Sequence, residues 1–297
     1  MMTQDPQISK LDPVLANRLK RQPMASRTLF NSGMTLVIFL CAVLALVPLM
    51  AVLSYLVIQG SSRFSLDLFT KLPPPPMVEG GGFGNAFVGT MVTVGIGSAI
   101  AIPCGLLSAI FLAEFAKGTR FANWIGFLTN VLSGVPSIVV GVFAYSVVVL
   151  TTGGFSAVAG GIALAILMLP IIVRTSVESL ALVPAESRQA SVGLGATRFQ
   201  TVSRVVLPAA LPAILTGVLL AVARASGETA PLIFTSLFSQ FWVSDVWKPT
   251  PTLSVLVFNF AITPYKNQQE LAWAGSLILV LMVLMASILS KLVSRRK

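Results

Sequence analysis

Residues Phe121 to Val173 read FANWIGFLTNVLSGVPSIVVGVFAYSVVVLTTGGFSAVAGGIALAILMLPIIV, which is 53 residues without Asp, Glu, Lys or Arg. A helix needs about 20 apolar residues to cross the hydrocarbon core of a bilayer, so this stretch can cross twice. Thr151, Thr152, Gly153 and Gly154 form the strongest helix-breaking signal near its middle. The stretch therefore predicts two spans, residues 122–149 and 156–179.

Four more apolar stretches are long enough to span. Together with the first two they predict an all-α integral membrane protein with six transmembrane helices. The composition agrees, because 55% of the residues are hydrophobic and 10% are charged, whereas soluble domains carry about 25% charged residues. Two further apolar pieces, 229–244 and 252–263, are too short to cross and are predicted to be re-entrant or interfacial. The four additional spans are predicted at 33–58, 84–112, 205–226 and 270–290.

The basic residues predict how the chain is oriented. Of the 20 Lys and Arg residues, 14 lie in segments 1–30, 114–120, 184–204 and 291–297. Cytoplasmic loops carry an excess of Lys and Arg, so these segments are predicted to be cytoplasmic, with both termini inside. The predicted organisation is a cytoplasmic tail (1–30), a six-span permease domain (31–292) and a basic C-terminal tail (293–297). The net charge of +10 thus indicates topology and not a nucleic-acid partner.

The residue inventory argues against an enzyme. The chain has no His, and Cys41 and Cys104 lie inside apolar runs without a metal-binding pattern, so no metal site is predicted. No Gly-x-x-x-x-Gly-Lys-Ser/Thr motif occurs, so any ATP hydrolysis must come from another subunit. The glycines of the second span are predicted to be helix-packing contacts; they are Gly89, Gly95, Gly97 and Gly105.

Arg224 and Glu228 are candidate pathway residues near the end of the fifth span. An ionisable residue within a span costs about 2.5–3.5 kcal/mol on insertion scales and normally has a partner or a pathway. Gly227 and Pro231 weaken the helix there, and a broken helix carrying charges is typical of transporter sites for polar solutes. The alternative is an ion pair within the helix that only neutralises itself.

Arg174 follows Pro170 near the cytoplasmic end of the fourth span. Its planar guanidinium could bind two oxygens of a tetrahedral oxyanion. Its long side chain could equally extend to the membrane interface, and the residues alone leave both interpretations open.

Segment 184–204 is predicted to contain a short cytoplasmic helix. Pro184 and Glu186 suit a helix start, and Gly193 and Gly195 suit a stop. A helix that projects between two spans could dock into the groove of a partner. The alternative is an ordinary interfacial helix.

The same segment resembles the EAA loop of ABC-importer permeases, Glu-Ala-Ala, three residues, Gly, nine residues, Ile, one residue, Leu-Pro. The spacing of this pattern is matched throughout, but three of its residues differ. Gln189 stands in place of Glu, Ser191 in place of Ala and Val205 in place of Ile. The resemblance implies that the segment couples the chain to an ATPase, which would bind ATP and Mg²⁺, and it implies a type I, MetI-like architecture. The residues that would form this contact are Gln189, Ala190, Ser191, Gly195, Leu207 and Pro208.

Three other segments narrow the resemblance, within residues 84–290, to the phosphate-transport permease family, PstA. They are Gly134 to Phe143, Leu169 to Arg174, and Arg224 to Leu232. In that family the residues at the positions of Arg174, Arg224 and Glu228 are associated with phosphate passage. The resemblance further implies a bacterial inner-membrane location, a heterodimer with a second permease (PstC), two copies of the ATPase PstB, and a periplasmic phosphate-binding protein (PstS).

The leading hypothesis is therefore a permease half of an ATP-driven phosphate importer. A permease for another oxyanion, such as sulfate or molybdate, is not separated from it by the physics of Arg. A secondary transporter that works alone is the alternative from another class, although the sequence shows no convincing internal repeat.

Overall fold

The computed structural model describes residues 26–295, so most of the predicted N-terminal tail and the end of the predicted C-terminal tail lie outside the described residues. The described chain is helical, and its helices are joined by loops and by π-helical turns. The helices are α1 (Ser26–Ser61), α2 (Asp67–Thr70), α3 (Gly84–Ile110), α4 (Arg120–Gly134), α5 (Ser137–Ala144), α6 (Ala157–Ala181), α7 (Ala185–Gly193), α8 (Arg198–Thr201), α9 (Leu207–Ser226), α10 (Ala230–Thr235), α11 (Leu253–Ala261) and α12 (Lys266–Arg295).

Three π-helical turns extend these helices within the described residues. One extends α3 to Phe115. One follows α5 over Tyr145–Val149 and leads into a last helical turn, Leu150–Thr152. The third joins α8 to α9. Because of the last turn, Arg198–Ser226 is a single candidate span that begins before the predicted start at residue 205. Its early start has a local cause: the Thr197 side chain accepts from the Gln200 backbone N–H, and the Gln200 side chain accepts from the Thr197 backbone N–H.

Five helices in the described residues are long and apolar enough to cross a membrane, and one bent pair brings the number to six. Within the described residues the chain forms two compact units, one that ends at Tyr55 and one that begins at Leu56. In the described part of the first unit, α1 is apolar, and its large hydrophobic side chains are exposed. The second unit is a helical bundle. The short α10 and α11 fall on the two apolar pieces that were predicted not to span.

The third span predicted over 122–149 is not a single continuous helix. Helices α4 and α5 meet at Val135 and Pro136 with a bend of 102°. Proline fixes its own φ and disfavours helical geometry for the residue before it, and Val135 accordingly has an extended ψ of 128°. The predicted break at Gly153 is confirmed, since this residue ends the second half of the pair with a φ of +77°.

Helices α3 and α6 pack closely at small residues. A Cβ on Gly97 would lie 2.9 Å from the Gly161 carbonyl oxygen, and one on Gly105 would lie 2.7 Å from Ile172. A Cβ on Gly89 would lie 1.8 Å from the Pro251 carbonyl oxygen, just before α11. The prediction of packing glycines is confirmed at these three positions and is wrong for Gly95, which faces open space.

Two hydrophobic clusters hold the bundle together. The larger joins α3, α6 and α9, with Leu164, Ile172 and Ile214 at its centre. The smaller joins α3, α11 and α12 around Phe83 and Leu256. Helix α3 runs between the two ends of the bundle. The end at which Gly89 approaches Pro251 is named here the Pro251 end, and the end at which Glu114 pairs with Arg188 is named the Arg188 end.

Candidate functional site

The bend between α4 and α5 opens a cavity in the side of the bundle. Its volume is about 200 Å³. The lining comes from the last turn of α4, the link between α4 and α5, the start of α5, the middle of α6, the end of α9 and the linker after α9. The lining residues are Leu132, Ser133, Val135, Pro136, Ser137, Leu167, Met168, Pro170, Ile171, Ala221, Arg224, Ala225 and Glu228.

Arg224 and Glu228 both line this cavity. Helix α9 ends at Ser226, and α10 resumes only at Ala230 with Pro231 in its first turn, so the predicted interruption of the helix is confirmed. The Arg224 Nε lies 3.7 Å from the Glu228 Oε1, which is longer than a charge-assisted hydrogen bond of about 2.7–2.9 Å. The Arg224 side chain is 68% exposed and that of Glu228 is 18% exposed. The guanidinium therefore keeps donors available for a ligand.

The start of α5 adds a second source of positive potential. Pro136 precedes this helix, and no side chain caps it. The first N–H groups of a helix have no partner within the helix, and its N-terminus carries a partial positive charge of about +0.5. Helix N-termini bind phosphate, sulfate and carboxylate for this reason. The uncapped start of α5 and Arg224 thus border the same cavity, which is suited to a small anion.

Arg174 lies elsewhere. It follows Pro170, which lines the cavity, by one turn of α6, but it does not itself line the cavity. Its Nε donates to the Glu178 Oε1 over 3.1 Å, and both side chains are more than 60% exposed. The structure therefore brings Arg224 and Glu228 together and leaves Arg174 toward the Arg188 end.

The predicted coupling segment forms a compact helix–turn–helix at the Arg188 end. Helix α7 is followed by Gly195, whose φ of +85° places it in the left-handed region that glycine adopts without strain. Gln189 and Ala190 are exposed on α7, whereas the Ser191 hydroxyl lies 3.0 Å from the Thr201 hydroxyl. Leu207 and Pro208 begin α9.

Large apolar side chains surround this segment and are exposed to an unusual degree for a polar loop. Leu194 is 90% exposed, and Leu182, Phe199 and Val192 are exposed as well. An exposed apolar group bordered by polar residues is typical of a protein-interaction surface.

Sequence analysis did not assign a role to Ser133 or Ser137, although both line the cavity. Hydrophobic periodicity cannot show that these serines face Arg224, because that depends on the bend at Pro136. The proline was the available signal: a proline in the middle of a long apolar stretch predicts a kink or a break.

Comparison with known proteins gives one family model and several relatives. Residues 101–297 match the model described as "Binding-protein-dependent transport system inner membrane component". The chain is 43% identical over 241 residues to the phosphate transport system permease protein PstA of Yersinia pestis, covering 81% of this chain and 82% of that one. It is 40% identical to the protein of the same name from Xylella fastidiosa strain Temecula1, covering 88% and 91%.

A solved structure supports the fold independently. The chain is similar, with a TM-score of 0.58 and 19% sequence identity, to a chain of the MetNI methionine ABC transporter in an inward-facing conformation. The match covers 71% of this chain and 93% of that one. At this level of identity the likeness concerns the fold alone.

Proposed function

This chain belongs to the family of binding-protein-dependent transport system inner membrane components and, within it, to the PstA permeases, and from that premise we propose that it forms half of the translocation pathway of an ATP-driven importer of inorganic phosphate. Members of this family are multi-pass inner-membrane transport subunits, and the predicted all-α, MetI-like fold is confirmed. ATP and Mg²⁺ would bind to a partner ATPase.

One observation carries the assignment of a substrate site. Arg224, two-thirds exposed, lines the same cavity as the uncapped start of α5. A desolvated anion needs hydrogen-bond donors that carry positive charge. Both features supply such donors, and both are in place before the substrate arrives. A second permease, PstC, would complete the pathway.

The substrate is tested by uptake of radiolabelled phosphate in cells whose only permease of this type is this chain together with its partner subunits. We expect ATP-dependent uptake that unlabelled arsenate suppresses and that equimolar sulfate or molybdate does not. Uptake without ATP would favour a secondary transporter, and suppression by sulfate or molybdate would favour a permease for another oxyanion.

The role of Arg224 is tested by the Arg224→Gln variant, with Lys71→Gln as the matched control. Lys71 is an exposed cation paired with Asp67 in the loop after α1, far along the chain from the cavity. At equal membrane abundance, uptake should fall for Arg224→Gln and stay at the wild-type level for Lys71→Gln. Unchanged uptake by Arg224→Gln would remove the proposed pathway.

We further propose that α7 and the Gly195 turn dock on the partner ATPase, PstB, so that this face is cytoplasmic. The exposed Gln189 and the exposed apolar group around Leu194 support this, because a short amphipathic element can insert into the groove of a partner. We propose the same side for both termini, because their basic residues predict it, and the Pro251 end would face the phosphate-binding protein, PstS. The Arg174–Glu178 pair would then border the cytoplasmic exit of the pathway.

Docking is tested by co-purification of the ATPase with a Leu194→Asp variant. Leu66→Asp is the matched control, because Leu66 is also highly exposed (84%) but lies next to α2. We expect Leu194→Asp to lose the ATPase and Leu66→Asp to retain it. Retention by both variants would place the docking surface elsewhere.

A further inference from the structure

Glu114 is a nearly buried carboxylate at the Arg188 end of the bundle. It lies in the π-helical turn that extends α3, and its side chain is only 10% exposed. Its Oε1 accepts from the Arg188 Nη2 over 2.8 Å, although the two residues are 74 positions apart in the chain. This ion pair joins α3 to α7, which are not neighbours in sequence.

Arg188 is fixed by more than this carboxylate. Its Nη2 also donates to the Leu180 carbonyl over 2.8 Å, and its Nη1 donates to the Val183 carbonyl. Both carbonyls belong to the chain that leaves α6 for α7. One guanidinium on α7 therefore binds the ends of α3 and α6 at the same time.

Arg198, which follows Gly195 in the sequence, contacts the same π-helical turn after α3. Its Nη2 donates to the Glu114 backbone carbonyl, and its Cζ lies 5.4 Å from the centre of the Phe115 ring, within the range of a cation–π interaction. Arg198 is the first residue of α8. The residues Glu114, Arg188 and Arg198 are called here the Glu114 latch.

The energetics point to a geometric role for the latch. The desolvation cost of a buried ion pair is, at best, roughly offset by the attraction between its charges, so such a pair is weak evidence of stabilisation. What a buried pair with several hydrogen bonds does fix is the relative position of the elements that carry it. The backbone connects α7 directly to α6 and α8. The latch connects α7 to α3 as well, through side-chain contacts.

We propose that the Glu114 latch makes α3 move together with α7, so that a displacement of α7 by a partner protein reaches the Pro251 end through α3. Helix α3 is suited to this because it contacts Pro251 closely at Gly89 and α6 closely at Gly97. The latch thus consists of positioning residues that act through α3. In its transport readout this inference rests on the proposed function, in which an ATPase displaces α7.

The first test measures ATP hydrolysis and phosphate uptake by the complete complex in proteoliposomes, with a Glu114→Gln variant. This variant keeps the shape and a hydrogen-bond acceptor but removes the charge. We expect uptake to fall by about tenfold or more while ATP hydrolysis stays within about twofold of wild type, as expected for a lost coupling free energy. Asp67→Asn, which breaks the exposed pair with Lys71, is the control and should leave both unchanged. Equal losses of uptake and hydrolysis in Glu114→Gln, or no loss of either, would overturn the latch.

The second test does not depend on the substrate. Spin labels are placed on two exposed positions, at Lys117→Cys in the turn that follows α3 and at Val192→Cys in α7, after Cys41 and Cys104 are replaced by Ser. In the complex with an otherwise intact latch, the distance between the labels should be the same with and without ATP. In Glu114→Gln it should change with ATP by about one helical turn, ~5 Å. A distance that already changes with the latch intact, or that stays constant in the variant, would refute the inference.

Arg188→Gln removes the charge from the other side of the latch and should give the same two results, which covers the case in which Glu114→Gln does not accumulate in the membrane. The proposed function is judged separately: if the wild-type complex takes up no phosphate, the proposed substrate is wrong. The distance measurement still decides whether α3 and α7 move together.

Discussion

Replacing Arg224 and Glu228, singly and together, distinguishes a substrate site from an ion pair that only neutralises itself. The three variants are Arg224→Gln, Glu228→Gln and the double variant. Gln removes both charges; it has the length of Glu and is shorter than Arg. The question is whether the loss caused by one change is repaired by the other.

The geometry sets the expected magnitudes. The pair is separated by 3.7 Å and the Arg224 side chain is 68% exposed, so its coupling resembles that of surface pairs spaced four residues apart on a helix, about 0.3–0.5 kcal/mol. That energy corresponds to about a twofold change. A hydrogen bond from a charged donor to an anion is worth about 1.5–3 kcal/mol, or roughly 10–150-fold. The contact with substrate therefore outweighs the contact with Glu228.

Initial rates of phosphate uptake at limiting phosphate, divided by membrane abundance, provide the measurement. We expect Arg224→Gln to lose at least about tenfold and Glu228→Gln to stay within about threefold of wild type. The double variant should match Arg224→Gln within about twofold, because little coupling exists to be relieved. Restoration of wild-type uptake in the double variant would refute this reasoning and establish the self-neutralising pair.

Two other predictions use glycines, each with a neighbouring glycine as control. Gly89→Ala places a Cβ against the Pro251 carbonyl and should destabilise the purified protein by about 1–3 kcal/mol, measured as a lower midpoint of thermal aggregation. In the control, Gly95→Ala, the new Cβ meets no atom, so the midpoint should stay unchanged or rise. Gly195→Ala forces a left-handed φ on a residue with a Cβ, at a cost of about 1–2 kcal/mol, and should reduce co-purification of the ATPase. In the control, Gly193→Ala, the new Cβ lies in α7 with open space around it, so co-purification should not change. Equal behaviour within either pair would contradict the corresponding packing or turn.

The spans could be predicted because the bilayer demands long apolar runs and the breaks between most of them contain charges or glycines. The break at Gly153 was visible for the same reason. The bend at Pro136 was missed because no charge marks it and the proline itself, which was the available signal, lies in a long uncharged stretch. The start of the fifth span at Arg198 was missed because capping by Thr197 and Gln200 extends a helix into a polar segment, which hydropathy does not register.

The candidate site was predictable only where a single residue is informative by itself. Arg224 and Glu228 stand out because charge in an apolar helix is costly. Ser133 and the partnership of Glu114 with Arg188 could not be found in this way, since both depend on contacts between elements distant in the chain. A serine in an apolar helix, or a carboxylate near a helix end, is ordinary until its neighbours in space are known.

The π-helical turn at Val202–Val206 limits which changes in chain length the protein can accept. Such a turn holds one residue more than an α-helical turn, and each residue advances an α-helix by about 100°. Deleting any one residue of this turn would leave a continuous α-helix, and that helix would still be apolar and long enough to span. Because the π turn fits its extra residue into a single turn, that helix would keep Arg198 and Arg224 in nearly the same relative orientation. A one-residue deletion in this turn should therefore preserve both contacts, whereas a one-residue deletion in the regular α-helix between this turn and Arg224 should rotate the two arginines by about 100° relative to each other and break one of them.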